Sequence, residues 1–137
     1  MKVFVDANVL VSVLNKEYPS FSYCARVLSL GEGPKFSIYT SPVCLAIAFY
    51  FSEKKSGNAL ARKKMQYLCD NILIAETGKE AVQKTLSNKK IHDIEDGLEY
   101  YSALNSGCKF IVTEDISDFY FSEIEVLSPR LFLEKHL

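Results

Sequence analysis

Two short apolar segments, far apart in the chain, lead directly into acidic residues. Residues 3–5 are followed by Asp6, and residues 110–112 are followed at short range by Asp115 and Asp118. Apolar runs of this length are typical of buried parallel strands, whose carboxyl ends form the ligand-binding edge of an open sheet. If the two strands are neighbours, Asp6 and Asp115 come close enough for one divalent ion to bridge them.

A third group of acids lies on a helix predicted over residues 91–106. Asp96 falls near the margin of the apolar stripe of this helix and Asp93 closer still, so both can point into a cleft beside the core. Asp93 is equally well explained as the N-cap, and the two roles can coexist. An acid at position 96 is also explained by its favourable interaction with the positive end of the helix dipole. A role for Asp96 as a metal ligand is nevertheless preferred, because it fits the two acids at the strand ends. Gly97 costs about 1 kcal/mol of helix propensity, which predicts a close approach by a neighbouring element.

The orientation of this helix is predicted from its 100° periodicity. Its buried stripe is expected to consist of four residues: Ile94, Leu98, Tyr101 and Leu104. Glu95 and Glu99 lie well away from that stripe, so we expect both side chains to be solvated.

Carboxylates gathered at one edge of a sheet repel one another unless a cation neutralises them. Such a group of acids is therefore either metal-binding or raised in pKa. Ligand sets made only of oxygen favour Mg²⁺ or Mn²⁺ over zinc. One or two such ions activate water and stabilise the charge on a scissile phosphate, so the pattern predicts phosphodiester hydrolysis.

Charge is segregated along the chain, although the formal net charge is only −1. Residues 53–90 hold nine basic residues and four acids, whereas residues 91–125 hold nine acids and one lysine. A basic flank beside an acidic centre suits a metal site that receives a polyanion. Taken alone, the basic residues are more simply explained as the solvated face of a helix. The predicted nucleic-acid contacts are Lys54, Lys55, Arg62, Lys63 and Lys64.

Composition predicts one folded domain over residues 1–137. Hydrophobic residues make up 48% of the chain and charged residues 24%, which excludes a disordered chain. No apolar run approaches the ~20 residues of a membrane span, and the N-terminus lacks the layout of a signal peptide. We therefore expect a cytoplasmic protein with no membrane partner. No Cys-x-x-Cys pair occurs and the two histidines are not at ligand spacing, so the four cysteines are expected to be reduced and a zinc site is not expected.

Strands and helices alternate along the sequence, which predicts an α/β fold. Because the strands are separated by helices of ten or more residues, we expect a three-layer α/β/α sandwich with a mostly parallel sheet of four or five strands. The predicted strands end near residues 5, 40, 75, 113 and 127. The helix over residues 42–54 begins in the favoured order of Ser41 then proline. It is apolar almost all round, so we expect it to be deeply buried.

Four segments of the chain, in order, resemble the PIN domain family. They are residues 3–10 (VFVDANVL), 93–103 (DIEDGLEYYSA), 111–119 (IVTEDISDF) and 126–133 (VLSPRLFL). Each segment alone is a weak signal, but the ordered set covers essentially the whole chain. The resemblance implies a parallel sheet, a ribonuclease site that depends on Mg²⁺ or Mn²⁺, and often a homodimeric toxin partnered by an antitoxin.

The resemblance also implies a role for individual residues. The catalytic, metal-binding acids would be Asp6, Asp96 and Asp115. The accessory metal-binding acids would be Asp93 and Asp118. Asn8 would be the hydrogen-bonding neighbour of the first acid, and Thr113, which closes the fourth strand, would support the site.

One departure from the family pattern concerns the helix after the second strand, where the family usually has a Glu. Here that position holds Ile47 or a neighbour, and Glu53 lies about 9 Å further along the helix axis. The alternative prediction is therefore a catalytically attenuated PIN domain that binds RNA or a protein. A haloacid-dehalogenase-like phosphatase would need an acid where Asn8 stands, and a receiver domain would need a paired N-terminal acid and a lysine after a late strand.

Overall fold

The structure, a computed structural model, describes residues 1–137 and alternates strands with helices as predicted. The five strands are β1 (Lys2–Val5), β2 (Ser37–Thr40), β3 (Leu73–Ile74), β4 (Phe110–Val112) and β5 (Glu125–Leu127). The seven helices are α1 (Ala7–Leu14), α2 (Ser20–Ser29), α3 (Pro42–Ser56), α4 (Asn58–Cys69), α5 (Lys79–Ser87), α6 (Ile94–Asn105) and α7 (Pro129–His136). Single 3-10 turns occur at Leu30–Glu32 and Ile116–Phe119.

The five strands form one parallel sheet in the order β3-β2-β1-β4-β5. This confirms the predicted α/β fold with a parallel sheet flanked by helices. Strands β2 and β3 lie on one side of β1, and β4 and β5 lie on the other side. The strand order therefore reverses between β1 and β4. Val5 and Val112 are paired at the ends of these strands. The crevice outside such a reversal is where open α/β sheets bind ligands.

Side-chain caps fix several helix starts. The Ser41 hydroxyl accepts a hydrogen bond from the Cys44 N–H at the start of α3, and the Ser128 hydroxyl accepts one from the Leu131 N–H in α7. A proline follows each of these serines, and proline suits the first helical turn because its missing N–H needs no partner there. These helix starts are as predicted.

The prediction that α3 is deeply buried was wrong. Its only buried residues are Cys44, Ala48 and Ser52, whereas Tyr50 and Phe51 are 58% and 46% exposed. The three buried positions are four residues apart, so they form one face of small side chains. Hydropathy could not orient this helix because both of its faces are apolar and they differ mainly in side-chain size.

The predicted buried stripe of α6 was also wrong. Ile94 and Leu104 are 49% and 36% exposed. The buried residues of this helix are Gly97, Glu99, Tyr100, Ser102 and Ala103. A Cβ atom added at Gly97 would lie 2.3 Å from Thr85 Cγ2, so the close approach expected at this glycine comes from α5. The buried face of α6 therefore combines small residues with Tyr100 and Glu99.

The remaining sequence expectations concern the cysteines and the membrane. All four cysteines are free, and three of them are buried. None of the helices combines the length and the apolar character that crossing a membrane requires.

Candidate active site

Asp6 follows β1 directly and is only 7% exposed. As the N-cap of α1, its Oδ1 accepts a hydrogen bond from the Ala7 N–H at 2.6 Å. Its Oδ2 accepts a second hydrogen bond from the Thr113 hydroxyl at 2.8 Å. The end of β1 and the hydroxyl after β4 thus hold this carboxylate in one orientation at the strand reversal.

Thr113 connects the two sides of the reversal. While it donates to Asp6, its Oγ1 accepts hydrogen bonds from Asn8 Nδ2 at 3.1 Å and from the Asp115 N–H at 3.0 Å. Asn8 Oδ1 in turn accepts from the Glu114 N–H at 3.1 Å. The hydroxyl therefore uses its one donor and both acceptor positions. Both predicted supporting residues lie in contact with the site.

Asp93 and Asp96 lie at the start of α6, which contributes further acids to the site. Asp93 is the N-cap, and its Oδ1 accepts hydrogen bonds from the Glu95 and Asp96 N–H groups. Asp96 lines the same cleft as Asp6. Partial burial, followed by the charges of Asp93, Asp118, Asp6 and Glu95, raises the pKa of Asp96 to about 7.

The two predicted acids after β4 occupy different positions. Asp118 lines the cleft, and burial together with Asp115, Asp6 and Asp93 raises its pKa. Asp115 is exposed and is not among the residues that line the cleft. Asp6, Asp96 and Asp118 therefore line one cleft, and Asp115 does not line it.

Sequence reasoning missed Glu99, which is 2% exposed and lies against Asp6 and Cys44. The Cys44 thiol donates a hydrogen bond to Glu99 Oε1 at 3.1 Å. Burial is the largest cause that raises the pKa of Glu99 well above its ordinary value, and the neighbouring Cys44 and a hydrogen bond with Asp6 add to it. Burial and the charge of Asp6 raise the pKa of the Cys44 thiol, which stays a neutral donor. The available signal was its position three residues after Asp96, since residues three apart share a helix face.

The cleft that these residues line has a volume of about 520 Å³. Seven of its fourteen lining residues are Asp or Glu, and none is Lys, Arg or His. Ile47 and Phe51 are the contribution of α3, which brings no acid to the cleft. Glu53 accepts a hydrogen bond from Asn58 instead, so it does not fill the gap noted in the sequence. Such a wall of oxygen donors without a protein cation fits a hard divalent ion such as Mg²⁺ or Mn²⁺.

The basic residues lie outside the acidic cleft. Two of them cap α1, because Lys55 Nζ donates to the Asn15 carbonyl at 2.6 Å and Lys64 Nζ donates to the Leu14 carbonyl at 3.2 Å. Arg62 Nε donates to Asn58, and Lys54 Nζ lies 5.8 Å from the centre of the Tyr50 ring. Lys63 and Lys64 line a separate, more apolar cleft of about 550 Å³ between α1 and α4. Part of the basic group therefore has a structural role, and phosphate contact remains a prediction.

Known proteins resemble this chain in both sequence and fold. A family model described as the PIN domain matches residues 2–117. Ribonuclease VapC1 of Aquifex aeolicus is 30% identical over 138 residues, which span 98% of this chain and 94% of that protein.

Two solved structures show the fold. VapBC-1 from nontypeable Haemophilus influenzae has a TM-score of 0.72 and 14% identity, covering 95% of this chain and 99% of that one. Mycobacterium tuberculosis VapC20, described as a toxin that cleaves the sarcin-ricin loop, has a TM-score of 0.62 and 11% identity, covering 80% of this chain and 86% of that one.

Proposed function

Because the chain belongs to the PIN domain family, we propose that it is an endoribonuclease that depends on Mg²⁺ or Mn²⁺ and hydrolyses RNA phosphodiesters. The observation that carries this proposal is the acidic cleft at the strand reversal, where Asp6, Asp96 and Asp118 meet without a basic residue. The ribonuclease relative from Aquifex aeolicus supports RNA as the substrate.

The oxygen donors of the cleft fit a divalent ion, with Asp6, Asp96 and Asp118 as the residues that would hold it and Asp93 and Asp115 beside them. When bound, Mg²⁺ or Mn²⁺ activates water and stabilises negative charge on the phosphate and the leaving oxygen. The chain supplies the orientation: Thr113 and the Ala7 N–H hold both oxygens of Asp6. Such fixed donors avoid reorganisation during the reaction.

Asp96 adds a site where a proton is held near neutral pH. Since its pKa is raised to about 7, the metal-free protein carries this carboxyl partly protonated at neutral pH. Binding of a divalent ion requires the carboxylate and therefore releases the proton. Affinity for the ion is expected to increase as the pH rises towards 7.

The proposal extends to the partners of the chain. Phosphate groups of the RNA would contact the basic residues around α4, of which Lys63 is not committed to capping α1. The likeness to VapC20, described as a toxin, supports a toxin, and the likeness to the VapBC-1 structure supports an antitoxin partner. The proposal includes action in the cytoplasm as a homodimer.

A second candidate function is favoured by Ile47. This apolar side chain lines the cleft where the family usually places an acid, and losing a carboxylate weakens binding of a hard ion. The second candidate is a PIN domain with attenuated turnover that binds RNA or a protein.

Cleavage of a labelled RNA by the full chain tests the two candidates. We expect cleavage with Mg²⁺ or Mn²⁺, none with EDTA, and a loss of at least about 100-fold in Asp6→Asn, since the ion contributes several kcal/mol of charge stabilisation. Glu76→Gln, which removes an exposed acid that lines neither cleft, is the control and should cleave as the wild type does. RNA binding that persists in EDTA, without cleavage under any metal condition, would favour the attenuated domain.

A further inference from the structure

The helices around the cleft contribute different numbers of acids. The α3 wall presents Ile47 and Phe51, whereas α6 presents Glu95, Asp96 and Glu99. Any ion held beside Asp6 therefore has no carboxylate available from α3. A further buried ligand on that side must come from α6.

Glu99 is placed to be that ligand. One turn after Asp96, its side chain reaches Asp6 and Cys44, and ligand atoms of these three residues lie within 4.8 Å of one another. Oxygens on opposite sides of an octahedral Mg²⁺ are about 4 Å apart. The carboxylate oxygens of Asp6 and Glu99 lie within 4.8 Å of one another, a range that includes this separation.

The burial of Glu99 requires its carboxyl either to be protonated and hydrogen-bonded or to be paired with a cation. Glu is almost never fully buried unless it is paired, because removing a charge from water is costly. Glu99 is 2% exposed, and no Lys, Arg or His lines its cleft. Its hydrogen-bond donor is the Cys44 thiol at 3.1 Å, which orients Oε1 but brings no charge.

We propose that Glu99 is a direct metal-binding residue of this site. The proposal rests on the metal dependence of the proposed function. It assigns to α6 the ligand that α3 lacks, and it accounts for a buried carboxylate that faces Asp6 rather than solvent.

Titration calorimetry of Mn²⁺ into the full-length protein tests this assignment without an activity assay. Glu99→Gln keeps the size of the side chain and can still accept from Cys44, so it removes the charged ligand with little change in packing. We expect its Kd for Mn²⁺ to rise by at least about tenfold, the lower end of what altered support of a metal ligand costs. The control is Glu76→Gln, at an exposed acid outside the cleft, whose Kd should equal that of the wild type.

A second variant separates ligation from general charge attraction. Glu99→Asp keeps the charge but shortens the side chain by one methylene, so a direct ligand would be withdrawn and the Kd should also rise. Recovery of Mn²⁺ affinity in the double variant Ile47→Glu/Glu99→Gln would support the proposal, because it returns a carboxylate to the α3 wall.

The outcomes distinguish this proposal from the proposed function. Wild-type affinity in both Glu99 variants, with binding lost in Asp6→Asn, would overturn the role of Glu99 and leave the metal-dependent nuclease standing. Absence of Mn²⁺ binding by the wild-type protein would overturn both. Circular dichroism of each variant establishes that it is folded before the titration.

Discussion

Asp96 and Glu99 lie about one helical turn apart on α6, and both are influenced by Asp6. Burial is the largest cause of the raised pKa of each, and Asp6 contributes to both. Neither carboxyl has a basic partner in the cleft. The metal-free site is therefore built at a cost to the stability of the fold, and that cost depends on pH.

We expect the metal-free protein to become less stable as the pH rises from about 4 to about 7. An unfolded Asp titrates near pH 3.9, whereas folded Asp96 has a pKa of about 7. Between these values the folded chain holds a proton that the unfolded chain has released, so the free energy of unfolding falls with increasing pH. Asp96→Asn removes this contribution and should be the more stable protein near pH 7.

Urea unfolding in EDTA at about pH 5 and about pH 7.5 measures the effect. The free energy of unfolding should fall less between the two pH values in Asp96→Asn than in the wild type, while Asp70→Asn should behave as the wild type. An identical pH dependence in Asp96→Asn and the wild type would show that Asp96 is not held protonated by the fold.

At the level of single residues, the sequence predicted that Asp6, Asp96 and Asp115 would meet, with Asp118 as an accessory acid. The cleft instead contains Asp118 without Asp115, and it contains Glu99, which the sequence did not indicate. Strand ends can be recognised from local apolar runs, so the acids that follow them are visible in the sequence. The burial of Glu99 depends on the rotation of α6, which is set by packing against other elements. The apolar residues of that helix predicted the wrong face.

Among the helices, the packing of α6 against α5 depends on Gly97. A Cβ at this position would lie 2.3 Å from Thr85 Cγ2 and 3.0 Å from Ile91 Cγ2, so no side chain fits without movement. Alanine would improve helix propensity by about 1 kcal/mol, but overpacking in a tight contact costs about 1–3 kcal/mol. The absence of a Cβ at Gly97 therefore lets α6 approach α5 closely.

Gly97→Ala should accordingly lower the free energy of unfolding by about 1 kcal/mol net, and it should also displace the α6 acids from the cleft. Thr85→Ala in the same chain should restore part of the loss because it removes the atoms that a Cβ would meet. Gly33→Ala is the matched control, since the nearest atom to its added Cβ is 3.8 Å away. Urea unfolding of the four proteins checks this, and a Gly97→Ala protein as stable as the control would refute the close contact.

The helices and strands themselves were predicted well, because their starts are encoded locally. Ser-Pro pairs mark the beginnings of α3 and α7, and short apolar runs mark β1 and β4. The burial of α3 and α6 was not predictable in the same way. Small residues form the inner face of α3, and the inner face of α6 also includes Glu99 and Tyr100. The choice of face therefore depends on neighbours distant in sequence.

At the scale of the whole molecule, the strand order decides where the chemistry can occur. The sheet places β1 beside β4, so acids more than a hundred residues apart meet at one edge. The parallel sheet follows from alternating strands and helices. The adjacency of β1 and β4, in contrast, could only be assumed from the sequence. Pairing of distant strands is a property of the complete fold and cannot be derived from either strand alone.

The most direct test of this account is anomalous diffraction from crystals of the full chain soaked in Mn²⁺. If the acidic cleft holds the ion, an anomalous peak should lie inside it, about 2–2.5 Å from carboxylate oxygens of Asp6 and of at least one acid of α6. An empty cleft at saturating Mn²⁺, or a peak held only by acids elsewhere on the surface, would contradict it.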